Sequence, residues 1–210
     1  LIVIEGIDAS GKATQSKLLA QRLAAERFSF PNYKTPLGKA ILRHLKRETH
    51  VAETIETLDI TRSAPEDALV FQAMCLANKC EMLPEMINAH LSHDIVCDRW
   101  WPSAVAYGQA DGLDRKWLES LHVCLRDEMR PRASAREVYF FLDVSEQEAL
   151  RRRPEARDRY EQNREKQQQV RENYLALWKG RPSWYVIDGV GTVEDVQERI
   201  MKCLEKETDL

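Results

Sequence analysis

The chain has 210 residues, with 31 Lys and Arg against 34 Asp and Glu, a formal charge of −3, and 43% hydrophobic and 31% charged residues. That length suits one domain burying roughly 70% of its unfolded surface, and no apolar run approaches the roughly 18–20 residues of a membrane span. The acidic balance argues against a nucleic-acid polymer as the main partner, so any anion site must be locally basic.

In chain order, the apolar run LIVI at 1–4 ends at Glu5 and Gly6 and reads as a strand covered on both faces. A glycine-rich turn follows, then a helix with Leu18, Leu19 and Leu23 on one side and Gln15, Lys17, Gln21 and Arg22 on the other. Further strands are expected at FSF (28–30), around Val96, around Phe140 and around Val186. The stretch 65–90 is helical in pattern, with Pro84 expected to kink or divide it. Thr192 is placed to cap a last helix carrying Val193, Val196, Ile200 and Leu204. Breaks at TRSAPED, RPRAS and KGRPS are short connections rather than linkers. Five strands alternating with helices predict a doubly wound α/β fold with a parallel sheet, one domain over 1–210, and ligands at the carboxyl ends of the strands.

Cys75, Cys80, Cys97, Cys124 and Cys203 contain no C-x-x-C pair, so reduced thiols and a cytoplasmic location are expected. The five histidines, His44, His50, His90, His93 and His122, show no metal-ligand spacing, and no zinc site is assigned.

The chemistry concentrates in three segments. GIDASGKAT comprises Gly6, Ile7, Asp8, Ala9, Ser10, Gly11, Lys12, Ala13 and Thr14, and nearly matches the phosphate-binding pattern G-x-x-x-x-G-K-[ST]. Backbone amides and a helix N-terminus would converge there on phosphates, and Lys12 would add charge. Ala13 replaces the hydroxyl that holds magnesium. Thr14 does not simply substitute, because one helical step turns a side chain by about 100°; it is expected to face the α-phosphate, with Mg2+ held by phosphates, water and an outer-shell carboxylate. That carboxylate is expected to be Asp98, at a strand end beside Arg99, whose fork suits phosphate oxygens. The third segment, LRRRPEARDRYE at 150–161, gathers Arg151, Arg152, Arg153, Arg157 and Arg159 and reads as a lid stabilising a transferring phosphoryl group.

Taken together, GIDASGKAT, FPNY at 30–33, LANKCE at 76–81, DRW at 98–100 with Ser103 and Tyr107, and DRYE at 158–161 resemble the thymidylate kinase family. The resemblance implies ATP-dependent phosphorylation of dTMP to dTDP, Mg2+, a mobile lid and a homodimer. It assigns Gly6 to Thr14 to the ATP phosphates, with Asp8 also facing the acceptor nucleotide. Arg99 bridges donor and acceptor phosphates; Phe30 and Tyr33 line the acceptor site; Tyr107 and Tyr160 pack near the deoxyribose; Ser103 follows on the same segment. The family carries its catalytic arginine either in the phosphate loop or in the lid, and Ala9 and Ser10 occupy this loop, so the role passes to Arg152 and Arg153.

The sequence departs from the family pattern at several positions. Tyr33 stands where many members have arginine, and Lys79 replaces the arginine that reads the 4-oxo group of thymine, losing its planar fork. Phe71, one helical turn from Cys75, is expected to supply the ring against the base. Trp100 and Trp101 are expected either to pack at a strand end, the favoured reading, or to form part of the acceptor wall. Rival readings are a deoxynucleoside kinase or broader nucleoside monophosphate kinase, a GTP switch suggested by NKCE at 78–81, and a nucleotide-binding scaffold without turnover. The NKCE match lies in a helical stretch, ends in Glu and has no D-x-x-G partner.

Overall fold

A computed structural model describes residues 1–46, 64–129, 137–155 and 163–208. Its five strands, β1 (Ile2–Glu5), β2 (Glu26–Ser29), β3 (Ile95–Asp98), β4 (Val138–Asp143) and β5 (Trp184–Asp188), form one sheet in the order β2-β3-β1-β4-β5. Every pairing is parallel, with Ile4 opposite Asp98 on one side and Phe140 on the other. Parallel neighbours need helical crossovers. These are provided by α1 (Lys12–Leu23), α2 (Pro36–Lys46), α3 (Ala64–His90), α4 (Trp101–Ala110), α5 (Arg115–Leu121), α6 (Val123–Glu128), α7 (Glu146–Arg152) and α8 (Arg164–Trp178), with α9 (Val193–Thr208) last.

Alternation along the strands divides the core in two. Val3, Ile95, Cys97, Tyr139 and Phe141 face a layer containing Met86, Val105, Val170 and Tyr174 from α3, α4 and α8. Ile2, Ile4, Val96, Phe140 and Leu142 face Leu19 of α1 and Val196, Ile200 and Leu204 of α9. Burial on both faces explains why these strands read as unbroken apolar runs.

Two expectations shift. β2 is Glu26–Ser29, so Phe30 lies just past the strand, although its amide still bonds Asp98 O at 2.9 Å. α3 runs through Pro84 without dividing, because Met82, Met86 and Ala89 on either side of it are all buried in the core. Thr192 caps α9 as expected: its hydroxyl accepts from the Asp195 amide at 3.1 Å, and Asp195 accepts from the Thr192 amide at 2.9 Å. Among the described residues no helix is long and apolar enough to cross a membrane.

Candidate active site

The glycine-rich loop connects the end of β1 to α1. At Gly6, φ is +154°, and a Cβ there would stand 2.5 Å from Ser10 Oγ and 3.0 Å from Leu142 O, so the turn requires glycine. Gly11 is the N-cap of α1 at φ 101° and no side chain caps the helix, which leaves its first amides for an anion. Lys12 Nζ curls back over the loop, donating to Ile7 O at 2.6 Å and Ser10 Oγ at 3.5 Å. Burial, and then the charge of Arg99, lower its pKa to about 8. Ala13 and Thr14 are both exposed at the helix start.

Next to the loop, the end of β3 places Arg99. Its amide extends the sheet by bonding Ile4 O at 2.9 Å, and its backbone is left-handed at φ 67°. The guanidinium meets Asp8 Oδ1 at 2.6 Å and donates to Gly6 O, Ser103 Oγ and Tyr107 OH, each at 3.2 Å. Burial alone would raise the Asp8 carboxyl, but Arg99 and then Lys12 outweigh it and hold its pKa at about 2.

Beneath this lies Glu5, a residue not anticipated from the sequence. Fully buried at the end of β1, it accepts from Trp100 N at 2.7 Å, Ser103 Oγ at 2.5 Å and Tyr174 OH at 2.9 Å. Burial raises its pKa, opposed by Arg99 and by these donors. It thereby ties β1, the start of α4 and α8 into the frame that orients Arg99. A lone carboxylate closing the apolar run LIVIE was the available signal.

Asp98 does not pair with its neighbour Arg99. Its Oδ2 accepts from Arg27 at 2.8 Å and from Ser29 Oγ at 3.4 Å. Because both contacts fall on Oδ2, Oδ1 keeps acceptor capacity for a metal-bound water, and the site fits an outer-shell role for this carboxylate. Among the described residues no group of three or more His, Cys, Asp and Glu side chains could hold a metal by itself.

A cleft opens beside Arg99 and collects Asp8, Phe30, Tyr33, Phe71, Lys79, Arg99, Ser103 and Tyr107. These are all the expected acceptor residues except Tyr160, which lies outside the described residues together with Arg157 and Arg159. Trp100 lines the cleft and packs on Phe30 with ring centroids 5.2 Å apart, whereas Trp101 is wholly core. Trp101 thus takes the favoured packing place, and Trp100 combines packing with the alternative place in the cleft wall. Phe71 forms cleft wall with its ring stacked on His44 at 5.3 Å. Lys79 is buried, donates to Cys75 O at 3.3 Å, and has its pKa lowered by that burial. Gln72, also in the wall, was missed.

The NKCE segment proves to be a clasp. Asn78 Oδ1 accepts from Asn32 N at 2.8 Å, Asn78 Nδ2 donates to Thr35 Oγ1 at 2.8 Å, and Glu81 Oε1 accepts from Leu37 N at 3.4 Å. These bonds fix the FPNY turn against α3, so the likeness to a guanine-binding signature has a structural cause.

The lid arginines separate. Arg152 Nη1 donates to Ser10 O at 3.2 Å, Nη2 to Gly189 O at 2.7 Å and Nε to Glu148 at 2.8 Å. Arg153 instead lines a second cleft with Asp8, Ala9, Glu146, Gln167 and Arg164. Arg164, the first residue of α8, was not foreseen because it follows the arginine-rich run.

The model of the thymidylate kinase family matches residues 4–200. The chain belongs to the thymidylate kinase family. It is 31% identical over 212 residues to a probable thymidylate kinase of Thermococcus kodakarensis, covering 97% of this chain and 96% of that one. It is likewise 31% identical over 211 residues to a thymidylate kinase of Symbiobacterium thermophilum, covering 98% and 92%. The structure of thymidylate kinase from Candida albicans superposes with a TM-score of 0.75 at 23% identity, covering 99% of this chain and 91% of that one, a likeness of fold. Membership in the thymidylate kinase family makes this chain a kinase of the phosphate-loop type. Its two clefts share Asp8, one beside the loop and α7 and one walled by α3 and α4.

Proposed function

We propose that the protein transfers the γ-phosphoryl group of ATP to the 5′-phosphate of dTMP, giving ADP and dTDP in the supply of deoxynucleotides. The observation that carries this reading is the position of Arg99, bonded to Asp8 and Gly6 of the loop while lining the acceptor cleft. A guanidinium there can hold a phosphate of each nucleotide and reduce the repulsion between them. The acceptor oxygen is already anionic, so no base has to remove a proton, and positioning with charge compensation suffices.

The loop from Gly6 to Thr14 cradles the ATP phosphates, and Lys12 releases Ile7 O to meet them. Phe30, Tyr33, Phe71, Lys79, Ser103 and Tyr107 hold the acceptor, with Tyr160 expected near its sugar. Arg153 and Arg164 cover the moving phosphoryl group, and Arg152 fastens the lid helix to the loop. Asp98 would hold magnesium carried with ATP through an intervening water, and the metal would supply charge neutralisation for the transferring phosphate. A single domain, a cytoplasmic location and a homodimer complete the reading.

The test is ADP release with dTMP, thymidine, AMP, CMP and GMP as acceptors. Preference for dTMP supports the reading. Turnover of thymidine in place of dTMP would convert it to a nucleoside kinase, and equal rates across the monophosphates would overturn the acceptor assignment.

A further inference from the structure

We infer that Gln72 reads the base of the acceptor nucleotide, its side-chain oxygen accepting from the N3–H of a 4-oxo pyrimidine. This rests on the acceptor assignment above. Gln72 lines the acceptor cleft, is only 1% exposed, and its Oε1 has no hydrogen-bond partner. A buried carbonyl oxygen without a donor costs free energy that a ligand N–H can recover. The missing partner is therefore a donor, and the cleft that Gln72 lines is a place from which one can come.

The geometry of α3 narrows the donor's chemistry. Gln72 and Lys79 are seven residues apart and so share one face of the helix. Lys79 leans back one turn to place Nζ 3.3 Å from Cys75 O, a residue three positions, or about 4.5 Å of axial rise, along the helix from Gln72. An acceptor and a donor so spaced can flank a ring edge that presents an N–H beside a carbonyl. Thymine and uracil offer that pair at N3 and O4. Cytosine offers the reverse, an acceptor at N3 beside an amino group. The carboxamide of Gln72 could turn to suit it, but the Lys79 ammonium, donor only, could not. Phe30, Phe71 and Trp100 supply apolar walls around the ring. Lysine alone loses the planar fork of arginine and cannot accept from N3–H, so the amide completes a reading that Lys79 leaves half made. The pair reads positions 3 and 4 of the base and is silent on position 5.

The experiment compares kcat/KM for dTMP and for N3-methyl-dTMP in the wild type, Gln72→Ala and Gln72→Met. The wild type is expected to prefer dTMP by about a hundredfold or more, since a site built around a buried hydrogen bond rejects the analogue lacking it. In Gln72→Ala the preference should collapse to within a few-fold, and in Gln72→Met kcat/KM for dTMP should fall about ten- to a hundredfold, chiefly through KM. An undiminished preference in folded variants overturns the assignment while leaving dTMP as substrate; a wild type that does not turn dTMP over overturns the acceptor reading itself. Should neither variant fold, the imino proton of dTMP bound to the wild type decides by NMR. Slowed solvent exchange of N3–H supports the contact, and exchange at the free rate refutes it.

Discussion

Arg152 and Arg153 are neighbours in sequence, yet the structure sets them in different surroundings, and paired substitutions to methionine would expose the difference. Arg152 is 23% exposed in its side chain and makes two hydrogen bonds to backbone carbonyls, Ser10 O and Gly189 O, besides an ion pair with Glu148. Each carbonyl bond contributes about 1 kcal/mol, somewhat more for a charged donor, and the partly solvated ion pair adds little. Arg152→Met should therefore cost about 2–3 kcal/mol, or about 5–10 °C of Tm for a chain of this size. Arg153 lines the cleft shared with Asp8 and Ala9, so Arg153→Met removes charge from the transferring group. The expected loss in kcat is about 10²–10³-fold, the scale of one preorganised electrostatic donor. Thermal melts run beside an ADP-release assay on the same preparations separate the two. If Arg152→Met abolished turnover at an unchanged Tm while Arg153→Met stayed fully active, the division of labour would be refuted.

Three further outcomes follow from the site and its surroundings. Lys12 in the free enzyme has a pKa of about 8, so kcat/KM for ATP should fall about tenfold per unit as pH rises above 8, while a flat profile to pH 10 would show that the ammonium is dispensable. His122, wholly buried with Nδ1 3.0 Å from Leu118 O, is lowered to about 3 by burial and then by Lys79. The unfolded chain takes up that proton below about 6.5 and the folded chain does not, so acidification from pH 7.5 to 5 should remove about 2 kcal/mol of stability. His122→Gln should remove that portion of the loss in urea titrations at the two pH values. Ala13→Ser places a hydroxyl at the exposed second residue of α1; it should lower the Mg2+ concentration for half-maximal rate several-fold, and an unchanged Mg2+ titration would show that the hydroxyl has no part here.

The strands β1, β3 and β4 were legible because they are buried on both faces, which leaves an unmistakable apolar run, and the loop because Gly6, Gly11 and Lys12 have few other reasons to stand at those spacings. Pro84 misled because local propensity says nothing about the buried methionines that hold α3 through it. Asp98 could not be paired from sequence: its partner Arg27 comes from β2, a strand that precedes it by more than sixty residues and becomes its neighbour only through the parallel crossover. Glu5 and Gln72 were hidden for a related reason. A polar residue within an apolar pattern reads as an interruption until the donors around the one, and the empty acceptor valence of the other, are visible.

The ladder between β1 and β3 is continued past the strand by the amide of Arg99 on Ile4 O. Adjacent strands stand about 4.8 Å apart, so the gauge between the donor cradle and the bridging guanidinium is written into the spacing of the sheet. Under the proposed reaction, the alignment of the two nucleotides therefore stays where the sheet has set it.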